Sequence, residues 1–220
     1  MIIPFHTIGL AMENRTRVKF CGITRLEDAM RAVELGVDAL GFVFYAESAR
    51  SIDLKTAQSI VAKLPAFITT VGLFVDADIS EVERIFVQAP MDLIQFHGSE
   101  SAAQCASTTR PYIKAIRMVA NVDLESEASN HSRARALLLD TYTKKSVGGT
   151  GTVFDWNRIP RELSKPVILA GGLRPDNVAS AIENVKPFAV DVSSGIESDY
   201  GIKDPEKMRK FMREVAKVGC

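Results

Sequence analysis

The chain has 220 residues, of which 46% are hydrophobic and 25% are charged, as in an ordinary folded globular protein. Its 27 basic and 27 acidic side chains balance to a formal net charge of zero, and it contains no run of five or six basic residues. This balance argues against binding to nucleic acid or to an anionic membrane surface. No apolar run is long enough to span a bilayer.

The three cysteines, Cys21, Cys105 and Cys220, are odd in number and widely spaced. This spacing fits neither a disulfide framework nor a zinc site. We therefore expect reduced thiols, no bound metal and a cytoplasmic location.

Residues 1–16 have no basic residue before Arg15, and Pro4 and Gly9 interrupt their apolar stretch. This pattern does not suit a signal peptide. We expect residues 1–16 to form a flexible extension and residues 17–220 to form the folded domain.

From residue 17 onward, short apolar runs alternate with amphipathic segments of helical periodicity. The predicted strands are 18–21, 39–44, 69–75, 92–96, 112–118, 136–140, 166–170 and 189–192. The predicted helices are 26–35, 54–64, 79–89, 100–108, 123–135, 156–163, 174–184 and 204–217. Pro175 should lie in the first turn of the seventh helix, where proline is tolerated. The glycine-rich segment 141–153 is predicted to form a loop that acts as a lid.

Eight strand–helix units of about 25 residues each predict an α/β fold, a single-domain (β/α)8 TIM barrel over residues 17–220. A doubly wound open sheet is the competing arrangement. We disfavour it because the turn after the first strand, Cys21-Gly22-Ile23-Thr24, is not a glycine-rich dinucleotide-binding turn.

Two small-residue turns follow the last two predicted strands. Gly171-Gly172 comes directly after residues 166–170, and Ser193-Ser194-Gly195 comes directly after residues 189–192. In such a barrel the loops after strands seven and eight frequently bind phosphate, because small residues let backbone N–H groups approach it. The sequence therefore predicts a phosphorylated small-molecule substrate.

Two reactive side chains end other strands of the predicted barrel. Cys21 ends the first strand and could serve as a nucleophile or general base once it is a thiolate, although a buried cysteine is often only a small apolar residue. Asp140 follows three leucines; partial removal from water favours its protonated form and suits a general acid. A helix cap or loop hydrogen bond is the structural alternative for Asp140.

Three further polar residues are expected near the barrel mouth. Arg50 could hold a carboxylate or phosphate through its planar guanidinium, or it could be an ordinary surface arginine. His97 is a candidate for the substrate site or a structural histidine. Asp191, flanked by valines in the last strand, is interpreted as a hydrogen-bonded residue that orients the mouth near substrate hydroxyls.

Motifs along the whole predicted barrel resemble the phosphoribosylanthranilate isomerase family. They are Val18-Lys19-Phe20-Cys21-Gly22-Ile23-Thr24, Gly41-Phe42-Val43-Phe44-Tyr45 with Ser48-Ala49-Arg50, Val71-Gly72-Leu73-Phe74-Val75, Gln95-Phe96-His97-Gly98, Leu138-Leu139-Asp140-Thr141 with Gly148-Gly149-Thr150-Gly151, Phe154-Asp155-Trp156, Leu169-Ala170-Gly171-Gly172-Leu173, and Asp191-Val192-Ser193-Ser194-Gly195-Ile196-Glu197. Members of the family often have proline where Ala49 stands and an aromatic residue where Ser51 stands.

The resemblance implies an Amadori rearrangement in tryptophan biosynthesis, without a cofactor. The sequence does not decide between a monomer and a homodimer. It assigns Asp140 as general acid, Cys21 as general base, Arg50 as the partner of the anthranilate carboxylate, and the two small-residue turns as the phosphate site.

Three alternatives stay open at this point. Indoleglycerol-phosphate synthesis needs lysines at strand ends, where this chain has Phe44 and Val75. A sugar-phosphate isomerase with two catalytic aspartates is disfavoured because the first strand ends in Cys21. A ligand-binding barrel without catalysis would bind substrate tightly and release it unchanged.

Overall fold

The computed structural model describes residues 15–141 and 154–218. Eight strands follow one another around a closed barrel in chain order. Every neighbouring pair is parallel, and β1 pairs with β8 to close the barrel. The strands are β1 (Arg17–Cys21), β2 (Ala39–Val43), β3 (Thr69–Phe74), β4 (Leu93–Phe96), β5 (Tyr112–Arg117), β6 (Leu137–Asp140), β7 (Val167–Leu169) and β8 (Ala189–Val192). The predicted single-domain (β/α)8 barrel is confirmed.

Seven α-helices among the described residues surround the barrel. They are α1 (Leu26–Glu34), α2 (Leu54–Val61), α3 (Ile79–Gln88), α4 (Ala102–Ser107), α5 (Leu124–Asn130), α6 (Val178–Val185) and α7 (Pro205–Val218). None of the helices in these ranges is long and apolar enough to cross a membrane. After β8 the chain forms a 3₁₀ turn, Ser194–Ile196, and a short antiparallel hairpin of β9 (Glu197–Asp199) and β10 (Ile202–Lys203).

Side chains along each strand point alternately into the barrel and outward to the helices, so the strands have an apolar core on each side. Phe20 and Leu139 lie in the large core between strands and helices. Ile113 and Leu138 belong to a second cluster that fills the barrel interior. Cys21 belongs to a third, small cluster at the carboxyl ends of the strands. The first strand therefore directs its terminal thiol toward the barrel mouth.

The predicted helix over residues 156–163 is wrong. Only one 3₁₀ turn, Trp156–Arg158, forms there, and Ile159 is extended, with φ −83° and ψ 120°. The reason is Pro160, since the proline ring disfavours the α conformation of the residue before it.

The predicted seventh and fifth helices are too long. The seventh, now α6, begins at Val178, so Pro175 precedes the helix. Asn177 holds a turn there: its side-chain oxygen accepts from the Arg174 backbone N–H at 2.9 Å, and its amide donates to the Gly172 carbonyl at 3.0 Å. The fifth helix ends at Asn130. Residues 1–14 of the predicted extension and residues 142–153 of the predicted lid lie outside the described residues.

Candidate active site

A pocket opens at the carboxyl ends of the barrel strands, the end that carries the active site in barrel enzymes. Of the residues predicted for the site, those in its wall are Cys21, Arg50, His97, Asp140, Gly171, Gly172, Asp191, Ser193 and Ser194. Gly195 is not part of the wall. A Cβ atom there would collide with the Leu173 carbonyl oxygen, so Gly195 lets the turn after β8 pack against the turn after β7.

Cys21 is buried, with 5% of its surface exposed, and it pairs in register with Gly41 of β2. A Cβ atom on Gly41 would lie 2.7 Å from the Cys21 sulfur, so the glycine leaves room for the thiol. Burial raises the pKa of the Cys21 thiol, and the nearby positive charge of Lys19 opposes that rise without cancelling it. The free protein therefore holds Cys21 as a thiol at neutral pH.

Lys19 stands two residues before Cys21, on the same side of β1. Its Nζ donates a 2.8 Å hydrogen bond to Oδ1 of Asp191, and both side chains are buried. Burial opposes the charge of Lys19, but the charge of Asp191 and the neighbouring Cys21 outweigh it and raise the pKa of Lys19. A fixed ammonium group therefore lies beside the thiol, and one oxygen of Asp191 is already engaged.

The variant Lys19→Met should move any reaction that uses the Cys21 thiolate to higher pH. Removing the ammonium takes away the charge that favours the thiolate, so the pKa of Cys21 should rise further. We expect kcat/KM at pH 7 to fall about tenfold or more. Because the single variant leaves Asp191 unpaired, the double variant with Asp191→Asn serves as the control for folding. An unchanged pH profile in both variants would show that Lys19 does not act on Cys21.

Asp140 ends β6, and each of its carboxyl oxygens has a hydrogen-bonding partner. Its Oδ1 accepts from the Thr141 backbone N–H at 2.8 Å. Its Oδ2 lies 3.1 Å from Nε2 of His97, and Nδ1 of the same ring lies 2.8 Å from the amide nitrogen of Gln95. The carboxyl group is thus held in the wall by the turn that follows it and by a histidine whose other nitrogen is also engaged.

Arg50 is buried and holds Glu197 through a two-pronged salt bridge. Its Nε and one terminal nitrogen each donate to a different Glu197 oxygen at 2.8 Å, and Lys203 donates to the same carboxylate at 2.8 Å. Burial disfavours the charge of Glu197, but the Arg50 hydrogen bonds and the Lys203 charge outweigh it and lower the pKa of Glu197. The hairpin after β8 thereby fixes the guanidinium, whose remaining N–H groups donate to no acceptor among the described residues.

Glycine is required at three positions in two turns of the site by backbone angles and by space. Gly171 and Gly172 have φ of 80° and 68°, and a Cβ atom on Gly171 would lie 2.9 Å from Oδ1 of Asp140. Gly22 has φ of 73°, and a Cβ atom there would lie 2.8 Å from Cδ of Arg50 and 3.0 Å from the Ser193 hydroxyl. Gly171 lets Asp140 lie close to the turn after β7, and Gly22 lets Arg50 and Ser193 lie close to the turn after β1.

Sequence reasoning missed four polar residues of this region: Lys19, Gln95, Glu197 and Lys203. Lys19 and Gln95 precede Cys21 and His97 by two positions, so the period of a strand could have placed them on the same side. Glu197 and Lys203 lie in a hairpin whose strands of three and two residues carry too little pattern to predict. Within the described ranges, no three His, Cys, Asp or Glu side chains are grouped so as to hold a metal ion.

The fold and the site together define a (β/α)8-barrel protein with reactive side chains gathered at the carboxyl ends of its strands. Comparison with known proteins narrows this class. Residues 18–214 match the family model of N-(5'-phosphoribosyl)anthranilate isomerase. The isomerase of that name from Pseudomonas fluorescens strain Pf-5 is 54% identical over 199 residues, which cover 90% of this chain and 95% of the relative.

Two solved structures share the architecture. A phosphoribosylanthranilate isomerase in complex with reduced 1-(o-carboxyphenylamino)-1-deoxyribulose 5-phosphate is 38% identical, with a TM-score of 0.79 over 92% of this chain and 99% of that one. A structure of mutually generated monomers of the dimeric isomerase from Thermotoga maritima is 36% identical, with a TM-score of 0.80 over 91% and 98% of the two chains. The chain belongs to the N-(5'-phosphoribosyl)anthranilate isomerase family.

Proposed function

We propose that the protein converts N-(5'-phosphoribosyl)anthranilate into 1-(2-carboxyphenylamino)-1-deoxyribulose 5-phosphate by an Amadori rearrangement, a step of tryptophan biosynthesis. The observation that carries the proposal is that Cys21, Asp140 and Arg50 line one pocket with the turns after β7 and β8, in a chain of this family. The proposed setting is the cytoplasm, where a catalytic thiol stays reduced.

Anchoring both ends of the substrate is the first task of the site. The phosphate binds the backbone of Gly171-Gly172 and Ser193-Ser194, because small-residue turns let N–H groups reach an anion. The anthranilate carboxylate binds the part of the Arg50 guanidinium that Glu197 leaves available. With both ends held, the ribose lies between the thiol and the carboxyl group. The bound substrate is therefore already oriented for both proton transfers, which lowers the entropic part of the barrier.

Two proton transfers complete the reaction. Asp140 donates its proton to the ring oxygen as the C1'–O bond breaks, which opens the furanose and leaves a protonated Schiff base. The Cys21 thiolate then removes the C2' proton, and the electron pair of that C–H bond neutralises the iminium to form an enolamine. The enolamine takes a proton at C1' and relaxes to the ketone. Each positioned transfer contributes about 10² to 10⁴ in rate.

The resting protonation of Cys21 shapes this mechanism. Because burial keeps Cys21 a thiol in the free protein, the base must lose a proton before it can act. The ammonium group of Lys19, which Asp191 holds in place, lies close enough to lower the pKa of Cys21 and so stabilises the thiolate once the thiolate forms. The physical consequence is a reaction whose rate rises with pH above neutrality.

Loss of anthranilate fluorescence tests the proposed function directly. Freshly made N-(5'-phosphoribosyl)anthranilate is mixed with the full chain, and the rate is compared with spontaneous decay of the substrate. Decay well above that background, with the aminoketose as product, is the expected result. A folded protein that binds the reduced product analogue but does not accelerate the decay would be a ligand-binding barrel instead.

We further infer that the protein acts as a homodimer rather than a monomer. Phe67, in the loop before β3, is fully exposed and has a φ of 71°, an unfavourable angle for an aromatic residue. Phe188, just before β8, is 44% exposed. Both lie at the amino-terminal end of the barrel, opposite the site. The Arg17 guanidinium covers one face of the Phe188 ring at 4.3 Å, so the bare Phe67 ring is the feature that fits an apolar contact with a second copy.

The variant Phe67→Asp should convert the dimer to a monomer without loss of activity, since the loop lies at the end of the barrel away from Cys21 and Asp140. Sedimentation velocity measures the mass, and the fluorescence assay measures turnover. A wild-type chain that sediments as a monomer, or a variant that stays dimeric, would contradict the inference.

A further inference from the structure

Gln95 is a completely buried polar residue linked to Asp140 through His97, and the mechanism above does not use it. It lies in β4, two residues before His97, and shares the wall of the same pocket. Its amide nitrogen is 2.8 Å from Nδ1 of His97, while its amide oxygen is buried without a hydrogen-bond partner among the described residues. An unpartnered buried carbonyl oxygen is costly and needs a reason.

The hydrogen bonds of Gln95 and Asp140 are coupled through the His97 ring. A neutral imidazole has one N–H donor and one acceptor nitrogen. If the Gln95 nitrogen donates to Nδ1, the proton of His97 must be on Nε2, 3.1 Å from Oδ2 of Asp140. Asp140 then accepts at Oδ2 and, from Thr141, at Oδ1, which is the arrangement of an ionised carboxylate.

The opposite arrangement suits an acid. With the Gln95 oxygen facing the ring, Nδ1–H donates to it, and Nε2 becomes an acceptor for the proton of a neutral Asp140. The two ends of a side-chain amide have the same shape, so a half-turn of Gln95 exchanges them in the same space. The half-turn also exchanges an unpartnered oxygen for an unpartnered nitrogen. The cost of burial is therefore similar for the two orientations of the Gln95 amide. Only the second orientation is compatible with a protonated Asp140, which the proposed mechanism requires.

We propose that Gln95 is a positioning residue whose amide oxygen holds His97 in the Nδ1–H form, so that Nε2 of His97 accepts the acid proton of Asp140. The proposal rests on the proposed function, because it explains how the acid keeps its proton until the ring oxygen receives it. His97 is then a partner of the acid rather than a group that binds substrate.

Nitrogen NMR of the wild-type protein tests the proposal without relying on activity. The chain has three histidines, His6, His97 and His131, so ¹⁵N-histidine labelling yields few signals, and the signals lost in His97→Gln belong to His97. At a pH where the ring is neutral, the proposal requires Nδ1 to carry the hydrogen and Nε2 to show the shift of an acceptor. A hydrogen on Nε2 would overturn it.

The variant Gln95→Met adds a functional readout. It keeps the volume and removes the acceptor, so we expect the His97 signals to lose the Nδ1–H pattern and kcat to fall about tenfold or more at unchanged KM. Gln58→Met, on the exposed surface of α2, is the matched control and should change neither. Unchanged kcat and His97 signals in a folded Gln95→Met would also overturn the proposal. If the wild-type protein shows no turnover, the proposed function fails, while the NMR result still decides the state of His97.

Discussion

The variant Asp140→Asn is expected to lower kcat by about 10² to 10⁴, because the amide occupies the place of the carboxyl group but cannot release a proton to the ring oxygen. The side chain is held at both oxygens, by the Thr141 backbone N–H and by His97, so a near-isosteric replacement should stay in position. Steady-state kinetics by the loss of anthranilate fluorescence measures the effect.

The affinity for the product analogue shows whether Asp140→Asn has lost only the proton donor or has also lost the shape of the binding site. Calorimetric titration with reduced 1-(o-carboxyphenylamino)-1-deoxyribulose 5-phosphate should give nearly the same Kd for Asp140→Asn as for the wild type, because the anchors at Arg50 and the two turns are intact. An Asp140→Asn protein with wild-type kcat would remove Asp140 from the mechanism.

Replacement of Cys21 by alanine is expected to reduce kcat by a similar factor of about 10² to 10⁴, since no other side chain of the first strand can take the C2' proton. The cavity left by one sulfur atom is small, and the protein should remain folded. The measurement is again turnover, with the reduced product analogue as the binding control.

Cys105 provides a matched control for Cys21. It is also buried, but it lies in α4, away from the pocket, and burial raises its pKa to about 11. The variant Cys105→Ala should retain wild-type kcat. Equal loss of activity in both cysteine variants would point to a shared effect on folding rather than to a base at position 21.

The fold was largely predictable because each barrel strand is a short apolar run with a turn after it. Leu137–Asp140 and Ala189–Val192 illustrate this, since their apolar residues leave few alternatives to a buried parallel strand. The prediction for residues 156–163 was wrong for a local reason. The apolar spacing of this segment fits a helix, but Pro160 forces Ile159 to be extended.

Most of the site was predictable from residues at or just after strand ends, whereas Arg50 lies in a loop and Asp191 lies within β8. Cys21, His97 and Asp140 have such positions, and the structure brings them into one pocket. Lys19 and Gln95 lie deeper in the barrel, where a polar residue inside an apolar strand carries no sign of its partner. The contact of Lys19 with Asp191 joins β1 to β8 across 172 positions of sequence and depends on closure of the barrel.

A single-turnover experiment tests most directly the claim that Cys21 and Asp140 are the base and the acid of one reaction. Protein in excess over N-(5'-phosphoribosyl)anthranilate is mixed rapidly, so that the decay of fluorescence reports the chemical step of bound substrate. The wild type should show a fast decay, and Cys21→Ala and Asp140→Asn, each shown to bind the product analogue, should decay about 10² to 10⁴ times more slowly. A fast decay in either variant would contradict the two-residue mechanism.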